Sequence, residues 1–408
     1  MHQLPALTLA IAVAVAGCAG ANPPLQTSEP PMARAKYASF EAWREAFRNR
    51  ALAQGIRAEV FDAAFAGVDE NLEVVRLDGR QAEFTKPIWD YLDGAASAAR
   101  VETGRARRAA LAPTMAAIER GYGVDGDVVL AIWGMETNYG SNRGSMPVIE
   151  SLATLAYEGR RRDFAEEQLV AALRILQAGD VTRERMVGSW AGAMGHTQFM
   201  PTSYLTSAVD FTGDGRRDVW GENPADALAS AANYLARNGW QSGAPWGMEV
   251  KLPPGFDFSA ADQANRRPAA EWNAQGVTRL DGRPLPENAA VAILAPAGVR
   301  GPAFAVYPNF FVIKTYNNAT SYALGVAHLG DRIGGGATIA AAWPRGEREL
   351  SRTEKIELQK RLTALGYATG KTDGVIGPDT IAAIRAWQAS RGMMPDGFAT
   401  ASMLQTLR

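Results

Sequence analysis

Cysteine is nearly absent from this 408-residue chain: Cys18 stands alone, so no intramolecular disulfide can staple the fold. Histidine is scarce as well, and His2, His196 and His328 are too scattered to suggest a histidine metal cluster. Neither sign of charge prevails. With 42 basic and 43 acidic side chains the formal net charge is −1, which argues against nucleic acid as a partner. The local run Arg160–Arg162 reads as a solvated helix face. Long apolar stretches are missing too, since Leu4–Gly17 is too short to span a bilayer. What remains is an ordinary globular composition, 47% hydrophobic and 21% charged, in a chain long enough for two or three domains.

The N-terminus reads as an export segment. Leu4–Gly17 is apolar, rich in small residues and closed by Val15-Ala16-Gly17-Cys18, the pattern of a secretory h-region running into a cleavage site. That ending resembles a bacterial lipobox, which implies a lipid on Cys18 and leaves no free thiol. A plain signal peptide with an incidental cysteine is the alternative, and the lack of any Lys or Arg before Arg34 departs from the usual positive n-region. Ala19, rather than Asp, follows the cysteine, which for such lipoproteins implies the outer membrane. The expected organisation is a signal peptide at 1–17, a lipidated flexible tether at 18–36, a main domain at 37–335, a linker at 336–349 and a further domain at 350–408.

The main domain reads as mainly α with a minor β part. Ser39 before FEAWREAF predicts an N-cap, and helical periods run through Leu111–Tyr122, Phe164–Ala178 and Ala225–Asn238. MEVKL, AVAIL and FAVY-NFFVIK read as short β-type runs before a last helix over Ser321–Ile333. Within Val128–Tyr139, VVLAIWGMETNY, one carboxylate interrupts an apolar segment that predicts a helix over Asp127–Met135. Glu136 then ends a dry element. Desolvation disfavours an ionised carboxyl and keeps a proton available for general-acid work. A Glu bonded to nearby amides or paired with Arg143 fits the residues equally at this point.

A second motif is DFTGDGRRD over Asp210–Asp218. Its alternating oxygen side chains, with Gly at the sixth position, reproduce the first half of an EF-hand loop, so Asp210, Thr212, Asp214 and the Arg216 carbonyl are candidate calcium ligands. The twelfth position is Gly221. Glu222 or Asp226 would have to supply the missing acidic ligand, and an Asx-rich turn without an ion is the alternative.

IWGMETNYG at 132–140, LATLAYEGRRRDF at 152–164, SWAGAMGHTQFMPTSY at 189–204, VDFTGDGRRDVW at 209–220 and SAANYLARNGW at 230–240 together resemble the lytic murein transglycosylase B family, in order and spacing, over roughly 37–335. The resemblance implies a lysozyme-like catalytic core with an added helical region, a small sheet and a structural calcium loop, with no cofactor for the chemistry. It implies Glu136 as acid/base, with Ser189, Gln198, Tyr234, Tyr316 and Asn317 lining the substrate cleft. Without it, Ser189 could cap a helix starting at Trp190, and Tyr316 could be core. His196 falls where the family varies and is given no proton-transfer role. The implied reaction cleaves the MurNAc–GlcNAc bond of peptidoglycan without water, leaving 1,6-anhydroMurNAc ends. The alternatives are an idle glycan-gripping scaffold lipoprotein and a hydrolytic muramidase.

Residues 350–408 resemble a three-helix peptidoglycan-binding domain, carried by LQKRLTALGY, DGVIGPDT and AIRAWQ, with Asp373-Gly374 and Asp396-Gly397 as tight turns and Pro378 at a helix start. The expected partners are glycan strands and, through the lipid, a membrane. The expected compartment is the periplasm.

Overall fold

The computed structural model describes residues 37–79, 86–158, 161–287 and 289–408. The proposed signal peptide, Cys18 and the 18–36 tether lie outside the described residues. The described residues are mostly helical, 53% helix and 7% strand. The chain divides into two compact units, one holding residues 37–79 and Glu102–Asn238, the other 86–101 and Gly239–Arg408.

The first unit is helical. Ser39 caps the helix Phe40–Ala53 by accepting from the Ala42 amide at 3.1 Å. The apolar face of that helix enters an aromatic cluster in which Trp43 stacks on Phe47 at 5.3 Å and Phe61 on Phe65 at 4.3 Å. Helices Val148–Glu158 and Arg162–Ala178 pack against one another, and helix Gly126–Thr137 packs against Ala112–Tyr122 and Ala225–Arg237. Arg161 and Arg162 are not the solvated face expected of them. Arg161 precedes the helix and pairs with Asp78, while Arg162 donates to the Ala156 and Tyr157 carbonyls and lies 5.7 Å from the Tyr37 ring centroid. Carbonyls at the end of the preceding helix offer a better partner than water.

The second unit holds a five-stranded antiparallel sheet, in the order Arg267–Pro268, Ala290–Leu294, Ala303–Val306, Gly247–Lys251 and Thr278–Arg279. Ala303–Val306 is buried throughout, as a central strand requires. Its core includes Trp272, Ile293 and Tyr307, and the Trp272 indole donates to the Val291 carbonyl at 2.9 Å. MEVKL, AVAIL and FAVY form strands as expected. NFFVIK does not: Pro308–Tyr316 is a helix. Pro308 supplies a helix-ready φ at the first position, and Asn309 is fully buried, donating to the Gln241 and Ala244 carbonyls at 2.9 and 2.8 Å. Pro308 and these long-range bonds outweigh the β preference of the following aromatic and β-branched residues.

Within the same unit, helices Arg352–Ala364, Pro378–Ser390 and Ala401–Leu407 enclose a core around Leu358, Leu362, Ile384, Trp387 and Leu404. Pro378 sits in the first turn of its helix, and Gly374 and Gly397 both take positive φ in the turns after Asp373 and Asp396.

Candidate active site

Glu136 lies in the last turn of helix Gly126–Thr137, which runs two residues beyond the Met135 end expected from the apolar pattern, and is 8% exposed. Asp125 caps the start by accepting from the Asp127 amide at 2.8 Å. Val129 to Ile132 are fully buried, so a helix that is apolar nearly all round is enclosed nearly all round. It ends on two left-handed residues, Asn138 and Tyr139, with the Tyr139 amide bonded to the Trp133 carbonyl at 3.2 Å. That six-residue closure fixes where the last turn stops. Tyr139 folds back onto the helix so closely that a Cβ on Gly134 would meet its ring at 2.7 Å.

The turn beyond the acid is pinned from the SWAGAMGHTQ segment. Thr137 donates its hydroxyl to the His196 carbonyl at 2.7 Å and receives the Gly140 amide at 3.0 Å. The Trp133 indole, a donor only, bonds His196 Nδ1 at 3.1 Å, which makes that nitrogen the acceptor and puts the ring proton on Nε2, facing the Gly221 carbonyl at 2.8 Å. Burial, followed by the Arg143 charge, pushes His196 below its usual pKa despite the Gly221 bond. A neutral His196 thus ties the acid helix to the loop after Trp220. Arg143 secures the same loop through the Trp220 and Gly221 carbonyls, at 2.7 and 3.0 Å, and Glu222 at 3.4 Å. Sequence reasoning gave His196 no role and missed this fastening. The only available signal was that Trp133 and His196 both lie inside the two linked motifs.

No helix starts at Trp190. Ser189 opens a tight turn instead, its hydroxyl accepting from the Ala193 amide at 3.1 Å, and Met194 bridges antiparallel to Phe199. Gln198 takes a left-handed φ of 51° and is 8% exposed. Its amide nitrogen donates to the Arg143 and Gly195 carbonyls at 3.1 and 2.9 Å, so the orientation of its Oε1 is fixed. Tyr234, on helix Ala225–Arg237, packs its ring 5.8 Å from Phe199. Glu136, Ser189, Gln198 and Tyr234 thus share one unit. Tyr316 and Asn317 belong to the other, at the end of helix Pro308–Tyr316, where the Asn317 side chain accepts from the Ala319 amide at 3.0 Å.

The acidic loop has a definite shape. Asp210, Asp214 and Asp226 each bring a carboxylate oxygen within 4.8 Å of the others. Asp226 joins that group, whereas Glu222 is 98% exposed along its side chain and pairs with Arg143. Burial opposes ionisation of Asp210, but amide bonds from Gly215, Gly213 and Asp214 hold its carboxyl below the usual range. Asp226, 2% exposed, accepts from the amides of Phe211, Thr212 and Asp218 at 3.0, 2.9 and 3.0 Å. Three hard oxygen donors on a loop already curled by its own amides suit a calcium ion. Thr212 turns its hydroxyl towards Asp210 at 3.5 Å, and the Arg216 amide bonds Asp214 at 2.9 Å.

Residues 39–331 match the family model of the transglycosylase SLT domain, and residues 351–407 that of a putative peptidoglycan-binding domain. The chain belongs to the lytic transglycosylase family. It is by family a peptidoglycan lytic transglycosylase, with the lysozyme-like fold of that family and a helical C-terminal domain. The membrane-bound lytic murein transglycosylase B of Escherichia coli (strain K12) is 32% identical over 225 residues, a match spanning 52% of this chain and 58% of that protein. SltB3 from Pseudomonas aeruginosa, crystallised with NAG-NAM-pentapeptide and with NAG-anhNAM-pentapeptide, is 53% identical, with a TM-score of 0.87 over 91% of this chain and 100% of that one. The Escherichia coli transglycosylase SLT35 in complex with calcium is 26% identical, with a TM-score of 0.61 over 71% of this chain and 92% of that one.

Proposed function

We propose that the protein cleaves the MurNAc–GlcNAc β-1,4 bond of peptidoglycan without consuming water, with Glu136 as the single acid/base. The observation that carries this reading is a carboxyl 8% exposed at the end of an apolar helix whose last turn is held by the Tyr139 closure and the Thr137–His196 bond. A fixed, largely dry carboxyl pays a desolvation cost on ionising, which suits a group that must arrive with its proton. Glu136 protonates the leaving oxygen, and the MurNAc N-acetyl group supports the positive charge at C1. The resulting carboxylate then takes the proton from the C6 hydroxyl, which closes on C1. The substrate's own acetamido group replaces the second carboxylate of ordinary glycosidases. The anhydro sugar bound to the 53% identical SltB3 supports this product.

Ser189 keeps a hydroxyl proton to donate while its oxygen accepts from Ala193, and Gln198 offers a fixed Oε1; both suit hydroxyl or acetamido groups of the glycan. Tyr234, Tyr316 and Asn317 are proposed to complete substrate binding. Calcium at Asp210, Asp214 and Asp226 would serve structure alone. We further propose that Cys18 carries a lipid, that 18–36 is its tether, and that the protein acts in the periplasm from the outer membrane. Residues 37–335 form the catalytic part, 336–349 a linker, and 350–408 the part that holds the wall. Incubating the purified protein with peptidoglycan and weighing the muropeptides tests the reaction. Anhydro products support it, products heavier by one water make the protein a hydrolytic muramidase, and unchanged strands make it a scaffold.

A further inference from the structure

A cavity of about 340 Å³ opens within the unit that contains the sheet, large enough for a small ligand. One wall is helix Thr320–Ile333, where Leu324, His328 and Asp331 follow at four- and three-residue spacing and so share a face. Trp246, Met248 and Ile339 supply apolar surface on other sides.

The charged groups around it are already engaged. Both Asp331 carboxylate oxygens accept from the Trp246 indole at 3.1 Å, and Glu249 accepts the Ala340 and Ala341 amides at 2.7 Å each. Asp281 pairs with Arg283 at 2.6 Å and with Arg279 at 3.6 Å. His328 differs. Neither ring nitrogen has a hydrogen-bond partner among the described residues. Burial, then the Arg332 charge, pushes its pKa down to about 4, so at neutral pH it lines the cavity as a neutral imidazole with one donor and one acceptor. An anion would be repelled by Glu249, Asp281 and Asp331, and a cation would have to compete with the hydrogen bonds and ion pairs those carboxylates already make. A ligand with an apolar ring face and neutral hydroxyl or amide groups matches what remains, and that chemistry is a saccharide.

We propose that this cavity is an amino-sugar subsite, in which His328 hydrogen-bonds a hydroxyl or N-acetyl group while the ring packs against the Trp246, Met248 and Ile339 surface. The choice of an amino sugar rests on the peptidoglycan reading above. The test uses the full chain carrying Glu136→Gln, so that glycan is not turned over, with triacetylchitotriose as the probe. The chain has three histidines, so the His328 ring nitrogen resonance can be assigned by its loss in His328→Gln.

Saturable movement of the His328 signal with the trisaccharide, and none with butylammonium, is expected. Ala337→Trp, a change at an exposed rim residue, should abolish that movement without disturbing the fold. His328→Gln should weaken saccharide binding at this site about fivefold, the effect of one neutral hydrogen bond. A His328 signal unmoved at saturating saccharide, one that still moves in Ala337→Trp, or one that answers to butylammonium instead overturns the proposal. Muropeptide masses from the unmutated protein separate the two failures: anhydro products beside a silent His328 remove the subsite alone, and their absence removes the peptidoglycan reading.

Discussion

Polar side chains in this fold are held by what surrounds them. His196 is committed, with one ring nitrogen taken by the Trp133 indole and the other facing the Gly221 carbonyl. Glu136, in the last turn of helix Gly126–Thr137, is buried to a similar degree. If Ser189 and Gln198 bind glycan as proposed, Ser189→Ala and Gln198→Ala each remove a neutral hydrogen bond to substrate and are expected to lower kcat/KM by about fivefold to tenfold, measured on soluble glycans. A different carboxyl governs pH response. Burial, reinforced by a hydrogen bond with Glu70, raises Glu158 from 4.5 to about 7. The folded state therefore keeps a proton that the unfolded chain loses, so this stabilisation is present below pH 4.5 and is lost as pH rises through about 7. Glu158→Gln stays neutral throughout. It should match the wild type in urea melts near pH 4.5 and exceed it near about pH 8. Equal stability at the higher pH would remove the argument.

Elements show where packing overrides local preference. Gly134 lets Tyr139 lie against the acid helix, and Gly134→Ala places a Cβ 2.7 Å from that ring, so a loss of about 1 to 3 kcal/mol is expected in chemical denaturation. The Asp210–Asp226 loop makes a separate prediction. Its carboxylates lie within 4.8 Å of one another, so millimolar calcium should raise the melting temperature over excess EDTA, the stabilisation being about 2.7 kcal/mol at a hundredfold excess over Kd. Asp214→Ala should cancel the difference, while Asp226→Ala should also destabilise the calcium-free protein because Asp226 holds three backbone amides. Identical melting in calcium and EDTA would rule the metal out. The helices were legible where caps and apolar periods agree, as at Ser39. NFFVIK misled because its aromatic and β-branched residues suit a strand, whereas Pro308 and Asn309, the latter bonded to Gln241 and Ala244 from elsewhere in the chain, favour a helix. The alternative reading of Ser189 as a helix cap fails because its partner, Ala193, belongs to a local turn beside the Met194–Phe199 bridge. Glu136 stood out because one carboxylate interrupts an apolar run, and the structure buries it at the end of that helix. The His196 fastening did not stand out, because it joins segments 63 residues apart.

At the scale of the molecule, the C-terminal three helices have a core of their own, yet their edges are bonded to the sheet region. Arg385 donates to the Phe258 carbonyl at 2.8 Å, Asp396 accepts the Val299 amide at 3.0 Å, and Glu347 joins Ser402 to Arg300. Residues 350–408 expressed alone should therefore fold and co-sediment with peptidoglycan. Deleting them should weaken wall attachment more than cleavage of short soluble glycans, and equal losses on both substrates would show that the tail is part of the catalytic fold. Replacing Cys18 with Ser should move the protein from membranes to the soluble periplasmic fraction, and a mature N-terminus at another residue would contradict that anchor. The central claim, that one carboxyl drives a water-free cleavage, is tested most directly by mass spectrometry of peptidoglycan digests made with the wild type and with Glu136→Gln. The account predicts 1,6-anhydroMurNAc ends from the wild type and a rate at least about a hundredfold lower from the folded variant. Products heavier by one water, or anhydro ends formed at the wild-type rate by Glu136→Gln, would contradict it.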